Sequence, residues 1–412
     1  MALAVLEPWT SGLGSVGCMT IWDAKKRRGT VVDFPGIVPR PVQSSDLVWP
    51  GSRIAEHDPD AAFGIEAHRS IAVPGQPDGL WTAHSFGSKP WPSLMAPAVD
   101  LSQQGLEIDW YAFLVIGVAA ADLVRFPGSR AWFLPHGFPA SFVRVGANFR
   151  IRNDALTASL KSLADRGARD FYEGMVAHEL VADLEQGGSS ITKSDLRRYR
   201  ARLLEPQTAH HAGKRFLIPP ESPVGRIFAE IIGTADDWRP SVDQATVMNY
   251  AHAFSAARAE IDFGHDADAT EWSSHVSVID GDGNMASLSQ TLGSVFGAKI
   301  VLPETGILAN NCAHGLQRQA AGAREEDRKT VSHLLPLIGL SGDRPWLSIG
   351  VSGDRHILPT LVQLISFVSD FGFSVEDAFH QPRIGVRGPG EILVDAAVST
   401  EIKRALGEAF RT

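Results

Sequence analysis

Cysteine is nearly missing from this chain: Cys18 and Cys312 are the whole supply, so no disulfide framework can hold the fold. An excess of basic residues is missing too. Lys and Arg number 38 against 47 Asp and Glu, and the formal net charge of −9 leaves no electrostatic footprint for nucleic acid or an anionic membrane. No apolar run approaches the roughly 18–20 residues of a membrane span. The nearest, Tyr111 to Ala121, is ended by Asp122 and reads as a buried helix. Met1 leads into Ala-Leu-Ala-Val-Leu-Glu-Pro without a basic leader or cleavage site, which predicts a cytoplasmic protein. Internal repeats and low-complexity tracts are absent as well.

Three ligand motifs fail on inspection, so neither a metal nor a cofactor is expected. Gly12, Gly14 and Gly17 fit G-x-G-x-x-G, but Pro8 precedes them and Met19-Thr20-Ile21-Trp22 alternates like a strand, where a dinucleotide site needs a strand before and a helix after. Asp280, Asp282 and Asn284 imitate the start of a calcium loop; Thr291 stands where its glutamate belongs, and strands flank it instead of helices. The polar stretch Gly264-His265-Asp266-Ala267-Asp268-Ala269-Thr270 lacks a second ligating element and reads as a mobile linker.

What is present describes an ordinary globular chain of 412 residues, 44% hydrophobic and 21% charged. Length alone allows two or three domains or one large α/β unit. Pro97 to Gly105 reads as an amphipathic helix closed by glycine, and Thr192 with Asp195 as a helix cap. The most informative stretch is Glu271-Trp272-Ser273-Ser274-His275-Val276-Ser277-Val278-Ile279-Asp280. A small hydroxyl residue stands at the mouth of an alternating strand, then a polar turn (Gly281 to Asn284) and a second alternating run from Met285 to Thr291. A serine hydroxyl needs a base within hydrogen-bond reach. A free α-amine, with a pKa of about 7.7–8.0, would supply one if the chain were cut before Ser273.

That layout resembles the autocleavage site and first hairpin of the γ-glutamyltranspeptidase family of N-terminal-nucleophile hydrolases. The resemblance is collinear over almost the whole chain. It takes in the glycine-rich turn around Gly12 to Gly17, Gly167 to Ala177, Gln186 to Leu196, and Leu302 to the asparagine pair Asn310-Asn311. Further on it takes in Val331 to Pro336, the glycine turn Ser348 to Ile357, and Ala378 to Ile384. It implies an α+β fold of four layers, αββα, made as a proenzyme, with residues 1–272 as the large-subunit-like region and 273–412 as the small one. Because it begins inside a second helix and stops at Thr412, the chain is expected to be shortened at both ends, and a missing upstream part could hold a secretion signal. Ser273 is then both processing site and nucleophile, steadied by Thr291, with backbone N–H groups of Gly353 and Asp354 as oxyanion donors. The two cleavage fragments and a small-molecule amide are the expected partners, with no nucleic acid and no membrane.

Departures from the family pattern bear on the substrate. Pro35 stands where γ-glutamyl enzymes grip an α-carboxylate with arginine, and Gly315, after His314, stands where they grip an α-ammonium with aspartate. Gly293 and Cys312 replace a substrate-binding asparagine and a glutamine. Losing two complementary charges points to an acyl group other than γ-glutamyl, with Ser332, His333 and His314 lining the altered pocket. The same losses, together with a carboxylate at Asp354, also fit a catalytically silent homologue kept for binding or structure.

Overall fold

A computed structural model describes residues 1–39, 42, 65–140, 149–234, 243–260, 271–315, 328–330 and 333–412. Its strands, in chain order, are β1 (Val16–Asp23), β2 (Arg28–Phe34), β3 (Leu106–Glu107), β4 (Arg150–Ile151), β5 (Arg202–Leu204), β6 (Gln207–His211) and β7 (Lys214–Ile218). After them come β8 (Glu271–Ile279), β9 (Met285–Ser294), β10 (Leu337–Ser341), β11 (Arg344–Ile349), β12 (Ile384–Gly388) and β13 (Glu391–Val394). Two antiparallel sheets dominate, one ordered β5-β2-β1-β9-β8 and the other β11-β10-β7-β6.

Each sheet buries its outer face under helices. Ile21, Val32 and Phe34 of the first sheet pack with Ala83 of helix Gln76–His84, and Gly79 is required there because a Cβ would come within 2.3 Å of the Phe34 ring. Phe216, Ile218 and Leu337 of the second sheet join a core with helices Pro223–Thr234, Gln244–Glu260 and Ile357–Ser369. The layer order is therefore helix, sheet, sheet, helix, the αββα arrangement.

Between the sheets the chemistry changes along the strands. Cross-strand partners share a face, so the registers Trp22–Met285, Thr20–Ser287 and Cys18–Ser289–His275 make successive rows on the inner face of the first sheet. Trp22 and Met285 pack on Leu217, Ile338 and Leu340 of the second sheet, a dry end. The next rows are polar and hydrogen-bonded across the gap: Thr20 Oγ1 donates to the Pro336 carbonyl at 2.8 Å and Ser287 Oγ to the Ile349 carbonyl at 3.4 Å. The interior thus becomes polar toward the end where β8 begins.

Local signals explain several element ends. Helix Trp91–Gln104 stops at Gly105 with φ +87, and Thr192 and Asp195 form the reciprocal cap of helix Lys193–Arg198. The turn between β8 and β9 is built by Asp280, whose Oδ1 accepts from the N–H groups of Asp282 and Asn284 and whose Oδ2 accepts from Asn284 Nδ2. One expectation is corrected. The apolar run Tyr111–Ala121 lies in helix Trp110–Leu123, but this helix is only half buried. Ala112, Val115, Ile116, Ala119 and Leu123 face the core, whereas Trp110, Leu114 and Val118 face outward. Periodicity could not reveal this, because both faces are apolar. Among the described residues no helix is long and apolar enough to cross a membrane.

Candidate active site

Ser273 is the third residue of the edge strand β8, and alternation decides which of the two adjacent serines is available. Ser274 points to the opposite face, where it is buried with its hydroxyl 2.7 Å from Thr10 Oγ1 and 3.1 Å from Ser11 Oγ. Ser273 lies on the inner, polar face, paired in register with Thr291. A bulge at this point sets Trp272 opposite Gly293 and leaves Leu292 as the extra residue on β9.

The bulge aims a hydroxyl at one particular carbonyl. Thr291 Oγ1 donates to the carbonyl oxygen of Trp272 at 2.5 Å and accepts the N–H of Gly293 at 2.8 Å. The Trp272 carbonyl belongs to the peptide bond whose nitrogen is that of Ser273, so a donor already polarises that bond. On the other side of the bond, the Ser273 N–H donates to Ser352 Oγ at 2.9 Å. Both ends of the Trp272–Ser273 amide are therefore held by side-chain hydroxyls.

Glycine is needed at 293 for two reasons. Its φ is +93, and a Cβ there would come within 2.1 Å of Asn311 Oδ1, the oxygen that accepts the Ser294 N–H at 3.0 Å. The same Cβ position is 3.6 Å from Cys312 Sγ, so Gly293 and Cys312 meet beside Trp272. Asn310 uses its whole amide. Its Nδ2 donates to the carbonyls of Gly14 and Ala72, and its Oδ1 accepts from the N–H groups of Ala72 and Cys312, tying the glycine-rich turn near the start of the chain to this end of the sheet.

His275, two residues along on the same face, was not singled out in the sequence. Its Nδ1 lies 2.9 Å from Ser289 Oγ and its Nε2 2.8 Å from Ser277 Oγ, which in turn accepts from Ser348 Oγ at 2.9 Å. Burial pulls its pKa down to about 4, so the ring is neutral at pH 7. Ser352 was likewise missed as a side chain, although the glycine turn containing it was recognised. Its partner is 79 residues away in the chain, and no local pattern reports such a pairing.

Gly353, with φ +120, follows Ser352, and its carbonyl accepts the His356 N–H at 2.9 Å at the start of the single turn Asp354–His356. His333 is buried. His314 falls in the short turn Cys312–Gly315; its side chain, that of Asp354, and all of Ser332 and the linker 264–270 lie outside the described residues. The Pro35 carbonyl accepts the Tyr199 hydroxyl at 2.7 Å. Nearby, Arg202 is bidentate on Glu221 and also pairs with Asp33, while Lys329 Nζ reaches Glu221 at 2.7 Å. Arg202 and Lys329 hold the Glu221 carboxyl at a pKa of about 2, whereas burial pushes Asp33 upward against the pull of Arg202. Arg202 and Lys329 are thus paired with carboxylates of the protein itself.

A cavity of about 620 Å³ opens elsewhere, among Trp22, Asp23, Asp280 and Asn284 at the turn end of β8. Seven strand residues, roughly 23 Å, separate Asp280 from Ser273.

Two packed sheets between helical layers, with a hydroxyl at the head of β8, define an N-terminal-nucleophile hydrolase fold. The chain belongs to the γ-glutamyltranspeptidase family, whose model, Gamma-glutamyltranspeptidase, matches residues 1–261 and 243–410. It is 25% identical to the acylase ACY 1 proenzyme of a Pseudomonas species over 98% of this chain and 80% of that protein. It is also 25% identical to the glutathione hydrolase proenzyme of Escherichia coli, over 98% and 79%. The fold matches the crystal structure of cephalosporin acylase from Bacillus halodurans with a TM-score of 0.81 at 20% identity, covering 99% of this chain and 81% of that one. The protein is accordingly an amide hydrolase or acyltransferase of the N-terminal-nucleophile type.

Proposed function

We propose that this chain is a proenzyme that cuts itself before Ser273 and then hydrolyses or transfers an acyl group, other than γ-glutamyl, through an ester on Ser273. The observation that carries this reading is the pair of hydroxyls on the Trp272–Ser273 amide, Thr291 Oγ1 on its oxygen and Ser352 Oγ on its nitrogen. In the cut, Ser273 Oγ attacks the Trp272 carbonyl carbon, and Thr291 stabilises the oxyanion. The C–N bond breaks as the hydroxyl proton passes to nitrogen, leaving an ester that water hydrolyses to a Trp272 carboxylate and a free Ser273 amine. In turnover that amine takes the Ser273 hydroxyl proton, Oγ attacks the substrate amide carbonyl, and the proton goes on to the leaving amine. The N–H groups of Gly353 and Asp354 serve as oxyanion donors, and Ser332, His333 and His314 contribute to the acyl pocket.

Fragments 1–272 and 273–412 stay together in this reading, because each sheet takes strands from both: β9 pairs with β1, and β10 with β7. The non-glutamyl assignment is supported by Pro35 and Gly315 at the charge-clamp positions and by the pairing of Arg202 and Lys329 with carboxylates. The acylase and the glutathione hydrolase among its relatives frame the choice. Denaturing mass spectrometry of purified protein tests the processing step. Two fragments are expected, the second beginning at Ser273, with Ser273→Ala remaining one chain. A wild-type chain that stays at full mass after long incubation would instead mark a silent homologue with a binding or structural role.

A further inference from the structure

We infer that Thr10 is a positioning residue for the cut before Ser273, holding both strands of the β8–β9 hairpin at the bulge from the face opposite the nucleophile. Its hydroxyl lies 2.7 Å from that of Ser274, the residue after Ser273 and 264 positions away in the chain. Its carbonyl accepts the N–H of Leu292 at 3.2 Å, and Leu292 is the extra residue after Thr291. Ser273 and Thr291, which face each other in register, are thus each followed by a residue fastened to Thr10. This role rests on the cleavage proposed above and concerns its geometry.

Proton count gives the hydroxyl contacts a direction. Thr10 Oγ1 also donates to the Glu7 carbonyl at 3.1 Å, and a carbonyl oxygen can only accept. With its single proton spent there, Thr10 accepts from Ser274, and Ser274 accepts from Ser11 Oγ at 3.1 Å. All three side chains are buried, so removing one member strands a polar group away from solvent. The far end of this chain is fixed locally. Glu7 to Thr10 form a turn closed by the Thr10 N–H on the Glu7 carbonyl at 3.2 Å, with Pro8 in second place, where its fixed φ suits the turn. The neighbouring Trp9 carbonyl accepts the Phe296 N–H at 2.9 Å, just beyond β9. A bulge leaves its extra residue without a ladder partner. Here Thr10 takes the Leu292 N–H, and the Leu292 carbonyl accepts the Asn311 N–H at 2.9 Å. The Trp272 carbonyl and Ser273 belong to β8 and the Thr291 hydroxyl to β9, so Thr10 sets donor against carbonyl at this row.

Thr10→Val keeps the volume and the carbonyl on Leu292 but removes the hydroxyl from Ser274. In the purified full chain, the rate of cleavage before Ser273, followed by mass spectrometry, should fall by about tenfold or more, because small misplacements of reacting groups are costly. Thr10→Ser, which keeps the hydroxyl, should cleave close to the wild-type rate. Ser274→Ala breaks the same contact from the other strand and reads it even where Thr10→Val does not fold. The double variant should be no slower than Ser274→Ala, since one contact is lost only once. A wild-type chain that stays whole would remove the cleavage reading and this role with it. A wild-type chain that cuts itself, with Thr10→Val and Ser274→Ala cutting equally fast, would overturn the role of Thr10 alone. So would a Thr10→Ser chain as slow as Thr10→Val, which would make the position sensitive to packing only, or a double variant slowed by the product of the two single effects.

Discussion

Thr291 and Ser352 divide one peptide bond between them, and their removal should be distinguishable. Thr291→Val keeps the volume but removes the donor on the Trp272 carbonyl and the acceptor for Gly293 N–H. We expect the rate of chain cleavage to fall about a hundredfold, the usual scale for losing one oxyanion donor, as followed by gel or mass spectrometry. Ser352→Ala should slow cleavage less and leave a second trace. An acceptor on the Ser273 nitrogen favours the protonated amine, so its loss lowers the amine pKa, and the acidic limb of kcat/KM in the mature enzyme should move to lower pH. His275 acts on stability. Its pKa is about 4 in the fold against 6.5 for an ordinary histidine, so the unfolded chain binds more protons between those values. The stabilisation is complete above about pH 6.5 and is lost as pH falls toward 4, by up to about 3 kcal/mol. Urea titrations at pH 7 and 4.5 should show this loss, and His275→Gln should reduce it.

At the scale of elements, the β8–β9 hairpin lines up the groups of the proposed cleavage, the Trp272 carbonyl, Ser273 and Thr291. Asp280 fixes the turn, the turn fixes the register, and the bulge after Trp272 converts that register into a Thr291 hydroxyl aimed at a carbonyl. Gly293 is the weak point of this device. Gly293→Ala should destabilise the protein by about 2–4 kcal/mol, from the left-handed backbone and the overlap with Asn311 together. It should also slow cleavage even where the variant remains folded. Thermal melts alongside a cleavage time course separate the two effects. Substitution at Gly281, where a Cβ meets nothing within 4 Å, is the matched control.

Across the whole molecule, the inner sheet faces run from dry to polar, and the candidate site sits at the polar end. In the proposed reading, specificity follows from the charges missing at Pro35 and Gly315. A zwitterionic γ-glutamyl donor would bring a carboxylate and an ammonium to positions held by Pro35 and Gly315, leaving both poorly paired at a cost of several kcal/mol. Turnover of γ-glutamyl anilides should therefore be negligible, while amides with apolar, oxo or aromatic acyl groups turn over or label Ser273. Glutathione hydrolysis near about 10 per second would show that another residue supplies the clamp.

The sequence by itself determined the hairpin and, through the resemblance carried by its ordered motifs, the family and the four-layer class, and it singled out Ser273 as the expected nucleophile. These are local matters: alternation, turn chemistry, glycines at positive φ and ordered motifs are all written within a few residues of one another. Thr291 as a residue steadying Ser273 came from the resemblance, and the hairpin register sets the two, 18 residues apart, opposite each other. Tertiary structure alone decided the rest. That Ser274 is sealed against Thr10 and Ser11, that Ser352 holds the Ser273 nitrogen, and that Asn310 joins the glycine-rich turn to β9 all depend on contacts between distant segments. Helix Trp110–Leu123 shows the same limit from the other side. A helix apolar on both faces has no periodicity to say which face is buried, and only its neighbours in space settle that.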